Sequence, residues 1–113
     1  MNEKLSETRC TPTGSHHRPL TETEIGEMMA QVPDWALMEE DGKKQLRRTF
    51  GFRDFVTALG FANRVGEIAE TEGHHPAITL TWGRATVSWY THMIGGLHKN
   101  DFIMAAKTDQ LRA

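Results

Sequence analysis

The sequence contains a single cysteine, Cys10, among its 113 residues. An internal disulfide needs two cysteines, and one thiol in a polar segment is too little for a cysteine-based metal site. Disulfides persist mainly in oxidising compartments. A chain that cannot form an internal disulfide is therefore more typical of a reducing compartment. We therefore expect a cytoplasmic protein.

Long hydrophobic runs are also missing. The longest unbroken apolar runs span a few residues, whereas a membrane-crossing helix needs roughly 20. The first ten residues, MNEKLSETRC, contain no apolar stretch of the kind found in a secretory signal. The sequence thus predicts neither a membrane partner nor secretion.

No large excess of charge of one sign is present either. The formal net charge is −2 and the pI is about 6.3, so the chain has no overall basic field to attract nucleic acid. Lys43, Lys44, Arg47 and Arg48 form a small basic group on one predicted hairpin. A solvated strand face explains this group better than a nucleic-acid interface.

Hydrophobic patterning predicts three helices and four strands in the order α-β-β-α-β-β-α. Thr21 and Glu24 have the spacing of a capping box, which predicts the start of a first helix that Pro33 should end. The other predicted elements are a hairpin over 35–50 with an Asp-Gly turn, a long helix over 52–73, strands over 78–82 and 86–91, and a helix over about 100–111.

Two hairpins and three helices are typical of the α+β class. We expect a four-stranded antiparallel sheet with three helices packed on one face. An open sheet leaves edge strands that need protection or a partner, and the long helix carries apolar residues on more than one side. The pattern therefore favours a homo-oligomer.

Residues 1–19 are predicted to form a flexible N-terminal tail, and residues 20–113 a single domain. The tail contains Pro12, Gly14 and Pro19 and shows no hydrophobic period. At 113 residues the chain is the size of one domain.

The end of the long predicted helix is the first candidate site. A helix C-terminus favours cations, yet this one carries Glu70 and Glu72, followed at once by His74 and His75. His92 follows at the end of a predicted strand, beside a glycine-rich loop where catalytic groups often lie. Histidine exchanges protons near neutral pH, so the cluster predicts acid–base chemistry.

The same residues fit two further roles. The histidines could simply cap the helix while the glutamates are solvated. Three histidines and a glutamate could also bind zinc. However, adjacent residues in an extended chain point to opposite sides, so His74 and His75 are poorly placed to share one ion, and we expect no metal.

Several short motifs resemble the signature of the pterin-4a-carbinolamine dehydratase family. They are His74-His75-Pro76, Thr91-His92, Gly96-Leu97 and Asp101. The resemblance covers roughly 20–111 and extends to Trp35, to the Phe-Arg-Asp-Phe run at 52–55 and to the Ala-Ala-Lys run at 105–107.

The resemblance implies an activity and a setting. Family members dehydrate 4a-hydroxytetrahydropterin to quinonoid dihydropterin and thereby support tetrahydropterin recycling. It implies no cofactor, assembly into a homodimer or homotetramer on the fold expected above, and a metabolic link to an aromatic amino-acid hydroxylase.

The resemblance also implies residue roles. His74 and His92 would be the acid–base pair, and His75 would complete the catalytic set by binding and orienting the substrate. The implied substrate-binding residues are Glu70, Pro76, Thr91 and Trp35, with Trp35 as a wall of the pocket. Asp101 is expected to cap the last helix.

Two positions depart from the family pattern. His98 stands where threonine or serine is usual, so we expect the last helix to begin at Asn100, which is the better N-cap. Tyr90 stands where smaller residues are common and is expected to narrow the pocket. The alternative function is a non-catalytic pterin-binding or regulatory module on the same fold.

Overall fold

The computed structural model describes residues 4–12, 14 and 17–112. It contains one antiparallel sheet whose strands are β1 (Ala36–Glu40), β2 (Lys43–Gly51), β3 (Ala77–Thr81) and β4 (Arg84–Trp89). Their spatial order is β1-β2-β4-β3, so β2 and β4 are central and the other two strands form the edges.

The first hairpin turns where the sequence predicts it. Asp41 and Gly42 have φ angles of 53° and 75°, the left-handed conformation that a two-residue hairpin turn requires at both positions. Glu40 consequently pairs with Lys43, and the register between β1 and β2 follows from there.

Three helices complete the fold: α1 (Glu22–Met29), α2 (Phe55–Glu72) and α3 (Lys99–Leu111). The predicted capping box at Thr21 and Glu24 is present. The helix α2 begins after 52 because the carboxylate of Asp54 accepts a hydrogen bond from the backbone N–H of Thr57 and caps it. It ends at Gly73, whose φ of 67° reverses the chain.

One face of the sheet contributes to the core. The side chains of Leu46 and Phe50 on β2 and of Val87 and Trp89 on β4 are buried at alternate positions, as a half-buried sheet requires. Apolar residues of all three helices join the same core; they include Ile25, Phe61, Val65, Phe102 and Ile103. The predicted α+β class and element order are confirmed.

The segment before α1 contacts the domain in the part that the structure describes. A short 3₁₀ helix, Leu5–Glu7, packs against α3, and the Leu5 side chain is buried in the main core. Lone leucines in polar stretches give no periodic signal, so this docking escaped the sequence pattern. The flexibility of the segment stays a prediction, and residues 1–3, 13, 15 and 16 of it lie outside the described part.

Across the described ranges, none of the helices is both long enough and apolar enough to cross a membrane.

Candidate active site

The turn that ends α2 positions the first histidine of the predicted set. His74 lies directly after Gly73, and its side chain is only 11% exposed. Its ring stacks on Trp89 of β4 with the two centroids 5.9 Å apart and the planes at 11°. Its Nε2 lies 2.6 Å from Oδ1 of Asp101, so the ring is held both by packing and by a hydrogen bond.

Asp101 is a fully buried carboxylate in the first turn of α3. Besides His74, it accepts hydrogen bonds from the Thr91 hydroxyl at 2.7 Å and from the His98 backbone N–H at 3.0 Å. An ionised carboxylate only accepts hydrogen bonds, so Nε2 of His74 carries the proton. Nδ1 is then the His74 nitrogen available to a substrate.

His75 faces a different environment. Its Nε2 lies 2.5 Å from a carboxylate oxygen of Glu70, and the side chains are 60% and 80% exposed. Exposed pairs of this kind contribute little to stability. The contact with Glu70 therefore holds the His75 ring only weakly.

His92 begins a 3₁₀ turn, His92–Ile94, immediately beyond β4. Its ring meets the ring of Tyr90 edge-on, with the centroids 4.7 Å apart. Thr91, between these two residues, is buried and bridges to Gly96. Thr91 is therefore buried while the neighbouring His92 is exposed at the surface.

A cavity of about 680 Å³ brings most of the predicted site residues together. Those that line it are His74, His75, Pro76, Thr91 and His92. A second cavity of about 510 Å³ lies on the sheet face away from the helices, and the two share Tyr90, Thr91 and His92. The three histidines, separated by up to 18 positions in the chain, therefore face one space.

Trp35 and Glu70 stand outside that lining. Trp35 is 3% exposed, packs on Phe50, and donates from Nε1 to a carboxylate oxygen of Asp109 at 2.8 Å. Asp109 is about 12 Å along α3 from Asp101. The structure thus makes Trp35 a core residue, and Glu70 reaches the site only through His75.

The expected start of α3 at Asn100 is wrong. His98 is the N-cap: its Nδ1 accepts the Asn100 backbone N–H at 2.9 Å, while Asp101 accepts the His98 backbone N–H. A neutral imidazole nitrogen can thus take the place of a hydroxyl. Burial lowers the pKa of His98, although the neighbouring Asp101 carboxylate opposes that shift.

The lining also includes residues that the sequence did not assign to the site. Cys10, Thr11 and Pro12 come from the N-terminal segment, and Asn100 comes from α3. Burial, with a contribution from Glu72, raises the pKa of the Cys10 thiol to about 12. Within the described residues, no three His, Cys, Asp or Glu side chains are grouped closely enough to hold a metal ion.

Known proteins match this chain along most of its length. The model of the family described as Pterin 4 alpha carbinolamine dehydratase matches residues 18–111. The chain belongs to this family. That resemblance, noticed in the sequence from a few short motifs, is therefore confirmed.

Relatives and solved structures of the family agree with this membership. Proteins of Marinobacter nauticus and Chlorobium limicola, each named "Putative pterin-4-alpha-carbinolamine dehydratase", are 51% and 53% identical. These alignments cover 95% and 98% of this chain and 96% and 97% of the relatives. A Brucella melitensis structure, described as a transcriptional coactivator/pterin dehydratase, is 32% identical with a TM-score of 0.75, over 85% of this chain and all of that one.

A more distant structure shares the fold. It is described as a pterin dehydratase-like protein that is a RuBisCO assembly factor in the alpha-carboxysome, and it aligns with a TM-score of 0.57 at 16% identity, over 88% of this chain and 95% of that one. The fold of the family therefore also occurs in a protein that is described as an assembly factor.

Proposed function

We propose that this protein dehydrates 4a-hydroxytetrahydropterin to quinonoid dihydropterin by histidine acid–base catalysis. Membership of the family and the names of the relatives support the reaction class. The observation that carries the proposal is the cavity in which His74, oriented by Asp101, and His92 are both exposed to the same space.

The reaction needs two proton transfers. The C4a–O bond breaks as the lone pair of the adjacent ring nitrogen N5 forms a C4a=N5 double bond. A protonated imidazole gives its proton to the leaving oxygen, which departs as water, and a neutral imidazole takes the proton from N5. General acid–base assistance of this kind contributes about 10²–10⁴-fold.

The two histidines have suitable surroundings for this exchange. His74 presents Nδ1, because Nε2 is held by Asp101. His92 approaches from the loop after β4, next to Tyr90. A flat ring held between them would have an acid–base group near each face, and the pair forms the proposed catalytic centre.

Of the remaining predicted residues, His75, Glu70 and Pro76 serve binding rather than proton transfer. His75, with Glu70 hydrogen-bonded to its ring, orients the substrate at the cavity rim. Pro76 lines the cavity and fixes the chain after the histidines. Thr91 acts through Asp101, to which its hydroxyl donates. No cofactor takes part, and the protein works in the cytoplasm, in tetrahydropterin recycling linked to an aromatic amino-acid hydroxylase.

A stopped-flow absorbance assay of 4a-hydroxytetrahydropterin decay tests the proposal. We expect the protein to accelerate the decay equally with and without EDTA. The double variant His74→Gln, His92→Gln should return the rate to the uncatalysed value while keeping the circular dichroism spectrum. His17→Gln, at a histidine outside the cavity lining, is the control and should keep the full rate. Full activity in the double variant would show that the catalytic groups lie elsewhere.

The alternative is a module that binds pterin without dehydrating it. The shared fold of a RuBisCO assembly factor shows that this architecture also occurs outside proteins named as dehydratases. The module would bind 7,8-dihydrobiopterin in a calorimeter, yet leave the decay of 4a-hydroxytetrahydropterin unchanged.

A further inference from the structure

The described N-terminal residues 4–12, here called the strap, run from the core to the histidine cavity. At the far end Leu5 is buried, and its backbone N–H donates to the Gln31 side chain at 2.9 Å. Nζ of Lys107 donates to the backbone carbonyl of Ser6 at 3.1 Å. The strap is therefore fastened to α3 well away from the cavity.

At the cavity end the strap pairs with Asn100. The Thr11 backbone N–H donates to the amide oxygen of Asn100 at 3.0 Å, and the amide nitrogen donates back to the Thr11 carbonyl at 2.7 Å. Asn100 is 2% exposed. A buried amide that exchanges two hydrogen bonds with one residue fixes the backbone position of that residue.

Glu72 provides a second attachment at the cavity. Its carboxylate accepts the Cys10 backbone N–H at 2.8 Å and pairs with Nε of Arg9 at 2.9 Å, and its side chain is only 7% exposed. A carboxylate is unfavourable in the last turn of a helix. Partners from the strap stabilise it there, which explains one of the glutamates that break the helix rule.

We propose that the strap is a built-in wall of the substrate cavity, held by Glu72 and Asn100, and that it strengthens pterin binding without taking part in proton transfer. Three consecutive residues, Cys10, Thr11 and Pro12, line the cavity together with the three histidines. The inference rests on the proposed function, because it assigns the pterin to this cavity.

The lone cysteine gives a direct measure of strap docking. The docked thiol, with its pKa near 12, is almost entirely protonated and alkylates slowly. Alkylation should therefore proceed through molecules in which the strap has opened. If bound pterin contacts the strap, docking of the strap raises the affinity for 7,8-dihydrobiopterin. Bound 7,8-dihydrobiopterin must then raise the docking equilibrium of the strap by the same factor.

The first experiment measures Cys10 alkylation by iodoacetamide with mass spectrometry. Saturating 7,8-dihydrobiopterin should slow the reaction at least about threefold, and by up to roughly 100-fold at 100 times Kd. An unchanged alkylation rate with the cavity saturated, shown by calorimetry, would overturn the proposal.

The second experiment separates binding from chemistry. Leu5→Ala removes an anchor that lies away from the cavity and should raise KM roughly 3–10-fold with kcat within about twofold. Asn100→Ala should raise KM and speed Cys10 alkylation. Leu37→Ala, at an exposed leucine of the edge strand β1, is the matched control and should match the wild type. Wild-type KM in Leu5→Ala and Asn100→Ala, although Cys10 alkylation is faster in both, would overturn the proposal, because the strap would then open without weakening substrate binding.

The outcomes distinguish this inference from the proposed function. Protection of Cys10 by 7,8-dihydrobiopterin in a protein that does not accelerate the dehydration would support the strap as a pterin-binding element and reject the dehydratase. Dehydration without protection would reject the strap and leave the dehydratase standing.

Discussion

The carboxylate of Asp101 joins three parts of the molecule at the scale of single residues. It accepts hydrogen bonds from a histidine of the cavity, from the threonine after β4 and from the backbone at the start of α3. In the proposed mechanism it is a positioning residue, because it would act on the substrate through His74. The sequence predicts its capping role from the spacing, but not the contact with His74, which lies 27 positions away.

Replacing Asp101 should therefore damage activity more than stability alone explains. For Asp101→Asn we expect kcat to fall roughly 10–100-fold, because a neutral amide replaces the charged acceptor of the proton on Nε2 of His74, and we expect the pH profile of kcat to move. The free energy of unfolding should fall by about 1–3 kcal/mol. Steady-state kinetics and urea unfolding measure the two effects.

Asp109→Asn is the matched control, because this second α3 carboxylate is also hydrogen-bonded, to Trp35 and Arg48. It should lose comparable stability and keep kcat within about twofold. Equal losses of kcat in the two variants would show that Asp101 acts on the fold alone.

Trp35 gives a second prediction at the residue scale. Trp35→Phe keeps most of the packing on Phe50 but removes the Nε1 donor to Asp109. We expect the free energy of unfolding to fall by about 1 kcal/mol, because a partly buried carboxylate oxygen loses one of its two donors and keeps Arg48. KM and kcat should remain those of the wild type. A raised KM would show that Trp35 contributes to substrate binding.

At the scale of elements, local signals in the sequence are reliable where they act over a few residues. The capping box of α1, the Asp-Gly hairpin and the glycine that ends α2 lie where the sequence predicts them. The sequence prediction fails where a contact between residues on different elements determines the local structure. His98 caps α3 because Asp101, three positions further on, completes the arrangement, and Asp101 is itself hydrogen-bonded to His74 and Thr91.

The histidine cap predicts a pH dependence of stability. Burial depresses the pKa of His98 in the folded state, so its contribution is complete above the unfolded pKa of about 6.5. That contribution is lost as the pH falls through the lower folded pKa, because the unfolded chain binds the proton more readily. Protonated Nδ1 also cannot accept the Asn100 N–H.

Thermal melting of His98→Asn tests this expectation. Asparagine is a good N-cap that does not titrate, so the variant should lose less Tm than the wild type between pH 7 and pH 5. Parallel Tm curves for the two proteins over that range would contradict a titrating cap.

At the scale of the whole molecule, surfaces remain that one copy of the chain does not cover. The edge strands β1 and β3 each pair on one side only. Near the start of α2, Phe55 and Val56 are 44% and 70% exposed, and Trp82 in the second hairpin is 69% exposed. Exposed strand edges and large apolar side chains commonly mark protein interfaces.

We expect a homodimer or homotetramer in solution. Sedimentation equilibrium should give a mass two or four times the 12.8 kDa of one chain. Val56→Glu should shift the distribution towards smaller species if the α2 surface takes part, because a buried charge without a partner opposes association. A monomer at about 100 μM would contradict this expectation.

The position of Asp101 has a consequence for interpreting sequences of relatives. A protein that no longer processes pterin would still gain from this aspartate, because the start of α3 and the end of β4 depend on it. Selection for folding alone can therefore preserve it after catalysis has been lost. The side chain of His92 makes no such hydrogen bond among the described contacts, so under the proposed mechanism its retention is the more informative sign of dehydratase activity.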